Sequence, residues 1–250
     1  MIIAGITGSI GHGKTTFANL LADQCNAARH FESWELVAEV ASALKDEQPL
    51  HPAPDDLDAV NEWLFPLADI VSFHVHTSIE FNDIKLTDAR LAKHPEHYEK
   101  LFEYLQTIQH QPSLATLPIT ADSKEAFRPL LQWLGGYLVA RAGSGVWYDE
   151  IVRRIAHLRT SGCDIVTIGG VRYPGDAERL RNAGAVIIDI QRPELPIQDL
   201  LDITERERTL IEPDCLVVNN GTLADLNTCA AVVYEDLSLR QLGDKYTAKA

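Results

Sequence analysis

Apolar and polar positions follow two rhythms along this chain. Short β-branched runs alternate with stretches whose apolar residues recur every three to four positions. Ile2, Ile3 and Ile6 form the first run, and Phe17, Leu20, Leu21 and Cys25 then mark one face of a helix from Thr15 to about Asn26. Ala27–Phe31 reads as a connection or a small strand. Ser33–Leu44 follows as a helix with Leu36, Val37, Val40 and Leu44 on one stripe. Lys45–Asp58, rich in proline and acid, reads as an exposed loop. From about Val60 to Thr120 the pattern is mixed and mainly helical, clearest over Tyr98–Gln109. Lys124–Ala142 is helical with a break expected at Gly135-Gly136, and Tyr148–Ser161 is helical up to Gly162.

Cys163–Ile168 is an apolar strand ending at Gly169-Gly170, as a buried parallel strand would read. A helix over Pro174–Ala183, closed by Gly184, leads to a strand over Ala185–Ile190. Gln191–Pro213 is polar and punctuated by proline. Leu216–Val218 is a last strand, Asn219-Asn220-Gly221 a turn, and Leu223–Leu239 a closing helix. Strands alternating with helices imply a parallel sheet, right-handed crossovers and ligands at the strands' carboxyl ends. There are no internal repeats.

Chemistry concentrates where the first strand meets the first helix. Gly8-x-x-x-x-Gly13-Lys14-Thr15 is the full phosphate-binding pattern, in the order strand, loop, amphipathic helix. Successive backbone N–H groups from Gly8, Ser9, Gly11, His12 and Gly13 to Thr16 can wrap a polyphosphate, because glycine allows turns that a Cβ blocks. Lys14 would neutralise the β- and γ-phosphates and Thr15 would offer its hydroxyl to Mg²⁺. The following helix aims its positive end at the same anion. The stretch predicts a site for ATP and Mg²⁺.

Composition narrows the rest. The 250 residues suffice for one large α/β domain or a core with an inserted subdomain. A net charge of −14 repels nucleic-acid backbones and anionic membrane surfaces, so a polynucleotide partner is disfavoured. Four scattered cysteines, with no C-x-x-C pair, fit reduced thiols and a cytoplasmic protein. No apolar run is long enough to span a bilayer, and the start of the chain lacks the features of a signal peptide. No membrane role is expected.

Three further stretches, together with the phosphate loop, resemble the deoxynucleoside monophosphate kinases of tailed bacteriophages. Arg128-Pro-Leu-Leu-Gln132-Trp-Leu-Gly135, with Trp147 after it, is similar to that family's R-x-x-L-Q-x-L-G segment and later tryptophan. Val171-Arg172-Tyr-Pro-Gly-Asp176-Ala-Glu178, leading through Gly184 to a strand, resembles its D-V-R-[FY]-x-[ND]-E segment. Thr204-Glu205 and Asn219-Asn-Gly-Thr-Leu223 resemble its [ST]-E and N-[DN]-G-[ST]-L elements. The resemblance covers residues 1–44 and about 124–240. It implies an α/β P-loop kinase, a three-layer sandwich around a central parallel sheet. Residues 1–250 would form one domain, with 45–120 a mainly helical insertion and 191–213 a lid. The compartment would be the cytoplasm, of a host if the source is viral, with a homodimer left open.

The implied reaction is transfer of the γ-phosphoryl of ATP to a deoxynucleoside monophosphate. Lys14, Arg172 and Arg128 are the expected catalytic cations. Arg128, Gln132, Trp147 and Glu32 are the expected acceptor contacts, while Arg206 and Arg208 would belong to the lid. The family pattern has an acid where this chain has Gly170, at the strand end where P-loop proteins commonly steady Mg²⁺. Thr15 and Asp176 are the expected metal set, with Glu32 or Asp189 as other stand-ins; failing these, metal handling is weakened. Two rivals follow: a related kinase acting on a hydroxyl (hydroxymethylpyrimidine in DNA, or a small metabolite), and a nucleotide-binding regulatory protein without turnover. His74 and His76 would share a strand face, and His94 and His97 have ligand-like spacing. Nothing nearby completes a metal site, and they read as ordinary histidines.

Overall fold

The computed structural model describes residues 1–195 and 203–247, with the side chains of 96–97, 203–205 and 242–247 left undescribed. The chain starts β1 (Ile2–Thr7), α1 (Lys14–Ala22), β2 (Ala28–Glu32), α2 (Ser33–Glu47). A helical run follows: α3 (Leu57–Leu64), α4 (Leu67–Val75), α5 (Phe81–Ile84), α6 (Asp88–Lys93), α7 (Pro95–His110), α8 (Arg128–Ala142) and α9 (Val146–Leu158). The chain then alternates again: β3 (Ile165–Gly169), α10 (Pro174–Asn182), β4 (Val186–Gln191), α11 (Ile203–Arg208), β5 (Cys215–Val218) and α12 (Leu223–Thr247). Two compact units result, one of residues 1–33 and 151–250 and the other of residues 34–150.

The first unit is a five-stranded, all-parallel sheet in the order β2-β3-β1-β4-β5. Its three central strands, β1, β3 and β4, are nearly continuous hydrophobic runs because helices cover both faces, whereas the edge strand β2 is half polar. On one face Ile2, Ala4, Ile6, Ile188 and Val217 pack with Phe17 and Leu21 of α1 and with Leu226, Ala230, Val233 and Leu237 of α12. On the other, Leu180 of α10 and Val171 crowd Gly5 so closely that a Cβ there would meet Ile187 Cδ1 at 2.8 Å. This is the α/β sandwich expected of a P-loop kinase. Every loop that follows a strand's carboxyl end opens on the same edge of this sheet.

The second unit is helical. Segment 45–120 lies wholly inside it. Its core joins Leu36, Val40 and Leu44 of α2 to Trp63, Leu67, Leu101, Leu105, Leu130 and Leu134, all buried. Lys45 is buried among them, its Nζ donating to the Leu117 carbonyl and lying 4.3 Å from the centre of the Phe127 ring.

The structure departs from the sequence expectations at three places. The break at Gly135-Gly136 does not occur, and α8 runs through both glycines. Trp133, Leu134, Tyr137 and Leu138 are buried on either side of the pair, and this packing outweighs the poor helix propensity of glycine. Phe73–His76 is no strand: it ends α4, and His76 leaves the helix in the left-handed region at φ 52°. His74 and His76 therefore share no strand face, and approach Glu39 and Glu150 respectively. Helix α1 stops at Ala22 rather than near Asn26, where the Asp23 N–H closes back on the Asn19 and Leu21 carbonyls. No helix among the described residues is long and apolar enough to cross a membrane.

Candidate functional site

The phosphate loop lies between β1 and α1. Gly13, at φ 94° and ψ 22°, is the residue before the helix, and an L side chain would be strained there. Its missing Cβ also makes room for Asn219, whose Nδ2 would be only 2.7 Å away. That amide donates to the His12 carbonyl at 2.9 Å, tying the loop to the turn after β5. The Lys14 ammonium donates to the Ser9 carbonyl at 2.8 Å, folded back across the loop. No acid occupies the first turn of α1 and no side chain caps it, so the positive end of the helix is open to an anion. Thr15 and Thr16 are exposed there.

Beneath the loop the site is polar and buried. Ser9 is 1% exposed and accepts a 2.6 Å hydrogen bond from Arg208 Nη2. Arg208 Nη1 lies 3.8 Å from Asp189 Oδ1, and Gln191 Nε2 donates to the other oxygen of Asp189 at 2.7 Å. His12 Nδ1 accepts from the Arg192 N–H. Burial holds the His12 pKa below its ordinary value; a hydrogen bond with the Ile190 backbone opposes this, while the charges of Lys14 and Arg208 add to it.

The carboxylate nearest the loop comes from β2. Glu32 Oε1 accepts a 2.8 Å hydrogen bond from the Thr15 hydroxyl. The same oxygen lies 3.1 Å from His30 Nε2, and His30 Nδ1 lies 2.8 Å from Thr167 Oγ1 on β3. Glu32 stands opposite Gly169 in the β2–β3 ladder, and a Cβ on Gly169 would sit 2.5 Å from its carboxylate. Gly170, at φ 72°, has Ser33 Oγ 2.7 Å from where its Cβ would be. The space beside Gly169 at the end of β3 is thus filled by an acid from the neighbouring strand, and that beside Gly170 by Ser33.

The other expected site residues are distributed as follows. Arg172 is exposed in the loop after β3, and Asp176 is buried in the first turn of α10. Arg206 is exposed on α11, whereas Arg208 on the same short helix is buried against Ser9. Part of the expected lid, 196–202, lies outside the described residues, as do the side chains of Thr204, Glu205 and His97. In the helical unit Arg128 and Gln132 are exposed on α8. The Arg128 guanidinium is engaged by Glu125, with two hydrogen bonds of 2.7 Å. Trp147 is a core residue, 7% exposed, with its indole N–H donating to the Gly135 carbonyl. Tyr148 is likewise buried. Among the described residues no three His, Cys, Asp or Glu side chains cluster as a metal site.

Sequence reasoning gave no role to His30 or Asn219. Asn219 had a signal, the Asn-Asn-Gly turn; His30, on a half-polar strand, had none.

A family model described as deoxynucleotide monophosphate kinase matches residues 69–229. The match runs through the helical stretch up to 120, where the motifs alone carried no resemblance, and through β3, α10, β4 and β5. No curated protein matches the chain. With most of its length matched and a phosphate loop at the head of a parallel sheet, the chain belongs to the deoxynucleotide monophosphate kinase family.

Proposed function

We propose that this protein transfers the γ-phosphoryl group of ATP to a deoxynucleoside monophosphate, giving the diphosphate, in the presence of Mg²⁺. The observation that carries this reading is the phosphate loop itself. Lys14, the acid-free first turn of α1 and the Thr15–Glu32 hydrogen bond stand together at the carboxyl ends of β1 and β2. Phosphoryl transfer asks a protein for position and charge neutralisation more than for covalent chemistry. Lys14 would leave the Ser9 carbonyl for the β- and γ-phosphates, and the loop amides would hold the donor's bridging and terminal oxygens. Arg172, in the loop after β3, would orient the acceptor phosphate or the moving phosphoryl group.

The residues present suit Mg²⁺. A hard cation takes oxygen ligands, and a hydroxyl and a carboxylate already sit 2.8 Å apart beside the loop. Thr15 Oγ1 would ligate directly, with Glu32 holding the ion or its waters. Asp176, the sequence candidate, is buried in α10, and Glu32 supersedes it in this proposal. Held by Thr15 and Glu32, Mg²⁺ would supply positive charge to offset that of the phosphates. Glu32 in place of an acid at 170 argues against the reading of a binder without turnover. The hydroxyl-acceptor alternative keeps one supporting feature, because Glu32 beside His30 could serve as a base.

ADP formation from ATP, measured across a panel of deoxynucleoside monophosphates, deoxynucleosides and oligonucleotides, tests the proposal. Turnover only with monophosphates supports it. Turnover with a deoxynucleoside or oligonucleotide favours the hydroxyl acceptor, and ATP binding without ADP in any arm favours the regulatory reading.

A further inference from the structure

Strand β3 carries one polar side chain, Thr167, in an otherwise apolar and wholly buried run. Thr167 is 0% exposed, and a valine would fill the same position without a hydroxyl to satisfy. Its Oγ1 lies 2.8 Å from Nδ1 of His30, its partner across the β2–β3 ladder. His30 Nε2 lies 3.1 Å from Glu32 Oε1, two residues further along the same face of β2. The Thr15 hydroxyl donates to that same oxygen at 2.8 Å. Side chains from β3, β2 and the start of α1 thus form one connected row, Thr167–His30–Glu32–Thr15, that ends at the phosphate loop.

The chemistry of each group fixes the direction of the row. An ionised carboxylate only accepts, so Nε2 of His30 has to carry a proton. A neutral imidazole then has a bare Nδ1, and the Thr167 hydroxyl donates to it. Two donors therefore meet on Glu32 Oε1, and they differ in what holds them. Thr15 is exposed in the first turn of α1 and, in the reading above, has to turn its oxygen to Mg²⁺. His30 is anchored at its far end by a strand inside the sheet. A group braced by a packed strand keeps its place more closely than one at a loop. The His30 and Glu32 side chains are only 19% and 14% exposed, so little water competes for the bond between them.

We propose that His30 is a positioning residue for the Mg²⁺ carboxylate: oriented by Thr167, it aims Glu32 at the cation beside Thr15. The proposal rests on the reading of Glu32 as a metal-holding group and deepens it. Neither His30 nor Thr167 touches the ion in this arrangement; both act through the carboxylate. Outer hydrogen-bond partners of this kind contribute about ten- to a hundredfold to the affinity of a metal site. The same row accounts for a polar pair joining β2 to β3 where two apolar side chains would pack as well.

The test follows binding of a labelled, non-hydrolysable ATP analogue to the full-length protein as Mg²⁺ is titrated. Wild type is compared with Thr167→Val, Thr167→Ser, His30→Phe and Glu32→Gln. The Mg²⁺ midpoint should rise by about tenfold in His30→Phe and by about threefold in Thr167→Val, the more distant partner. Melting temperature and analogue affinity at saturating Mg²⁺ should hold in both. Thr167→Ser, which keeps the hydroxyl, should match wild type. Nitrogen NMR of histidine-labelled wild type, with the His30 signals assigned by their loss in His30→Phe, should show Nε2 protonated and Nδ1 bare at about pH 8. A ring protonated on Nδ1 alone or on both nitrogens overturns the proposal. A midpoint unmoved in Thr167→Val, or raised as far in Thr167→Ser, overturns it as well. If His30→Phe melts early, the two Thr167 variants decide. Glu32→Gln separates the proposal from the reading beneath it. A raised midpoint there with none in Thr167→Val refutes the role of His30 and Thr167 alone, whereas an unmoved midpoint in Glu32→Gln removes the carboxylate from the metal site and the proposal with it.

Discussion

Glu32 fills the space that a side chain on Gly169 would need. The two residues face each other across the β2–β3 ladder, and a Cβ at 169 would lie 2.5 Å from the Glu32 carboxylate. The carboxylate is held from its other side by Thr15 and His30. Glu32→Gln should therefore keep the fold but raise the Mg²⁺ concentration needed for tight ATP-analogue binding by about tenfold, since an amide is a poorer ligand for a hard cation. Gly169→Ala should do the same indirectly, at a cost of about 1–3 kcal/mol in stability from overpacking. A Mg²⁺ titration followed by fluorescence of a labelled ATP analogue reads both. An unchanged midpoint in Glu32→Gln would remove Glu32 from the metal site.

Arg208 gives a second expectation. It is buried with one nitrogen on Ser9 and another near Asp189, so Arg208→Met leaves an acid buried without its cation. Breaking such a pair costs about 3 kcal/mol, enough to lower the melting temperature by several degrees. Because Ser9 belongs to the loop, ATP-analogue affinity should fall with it. A variant with wild-type melting temperature and affinity would show that Arg208 neither supports the loop nor compensates Asp189.

How much of this was legible beforehand depends on how local each feature is. The phosphate loop, four of the five strands and the closing helix are written in short windows, where apolar period and glycine spacing are enough. Glu32's place was not, because it depends on β2 and β3 being neighbours although more than a hundred residues separate them. Arg206 and Arg208 look alike in a run of alternating charge. Only tertiary packing sends one to solvent and the other under Ser9. The expected break at Gly135-Gly136 weighed backbone propensity without the Trp133 and Tyr137 side chains that hold α8 together. Phe73–His76 alternates as a strand would, but four residues are too few to separate that period from the end of a helix.

Acid should loosen the helical unit through His51. Its ring packs against Trp63 and Tyr104 and lies 3.0 Å from the Tyr104 hydroxyl. Burial, the largest influence, holds its pKa below the ordinary 6.5; a bond with the Pro49 backbone opposes this and the charge of Lys45 adds to it. The unfolded chain then binds the proton more readily than the folded one. Stability is full above the unfolded value and is lost as pH falls below it, toward the lowered folded value. His51→Gln should show a smaller drop in melting temperature than wild type between about pH 7.5 and about pH 5.5. Equal drops would clear His51 of the acid sensitivity.

Arg172 is exposed after β3, at the edge of the sheet where the loop also opens. Arg172→Ala should lower kcat by about a hundredfold or more while ATP affinity holds, because a cation acting on the moving phosphoryl group contributes mainly in the transition state. An unchanged kcat would strike Arg172 from the site.

The central claim is that the loop around Lys14 grips a triphosphate and delivers its last phosphoryl group to a mononucleotide. Incubation with γ-labelled ATP, Mg²⁺ and a deoxynucleoside monophosphate, resolved by chromatography, tests it most directly. The label should appear in the deoxynucleoside diphosphate with wild type and vanish with Lys14→Ala at an unchanged melting temperature. Label released only as inorganic phosphate, or transferred equally well by Lys14→Ala, would contradict the account.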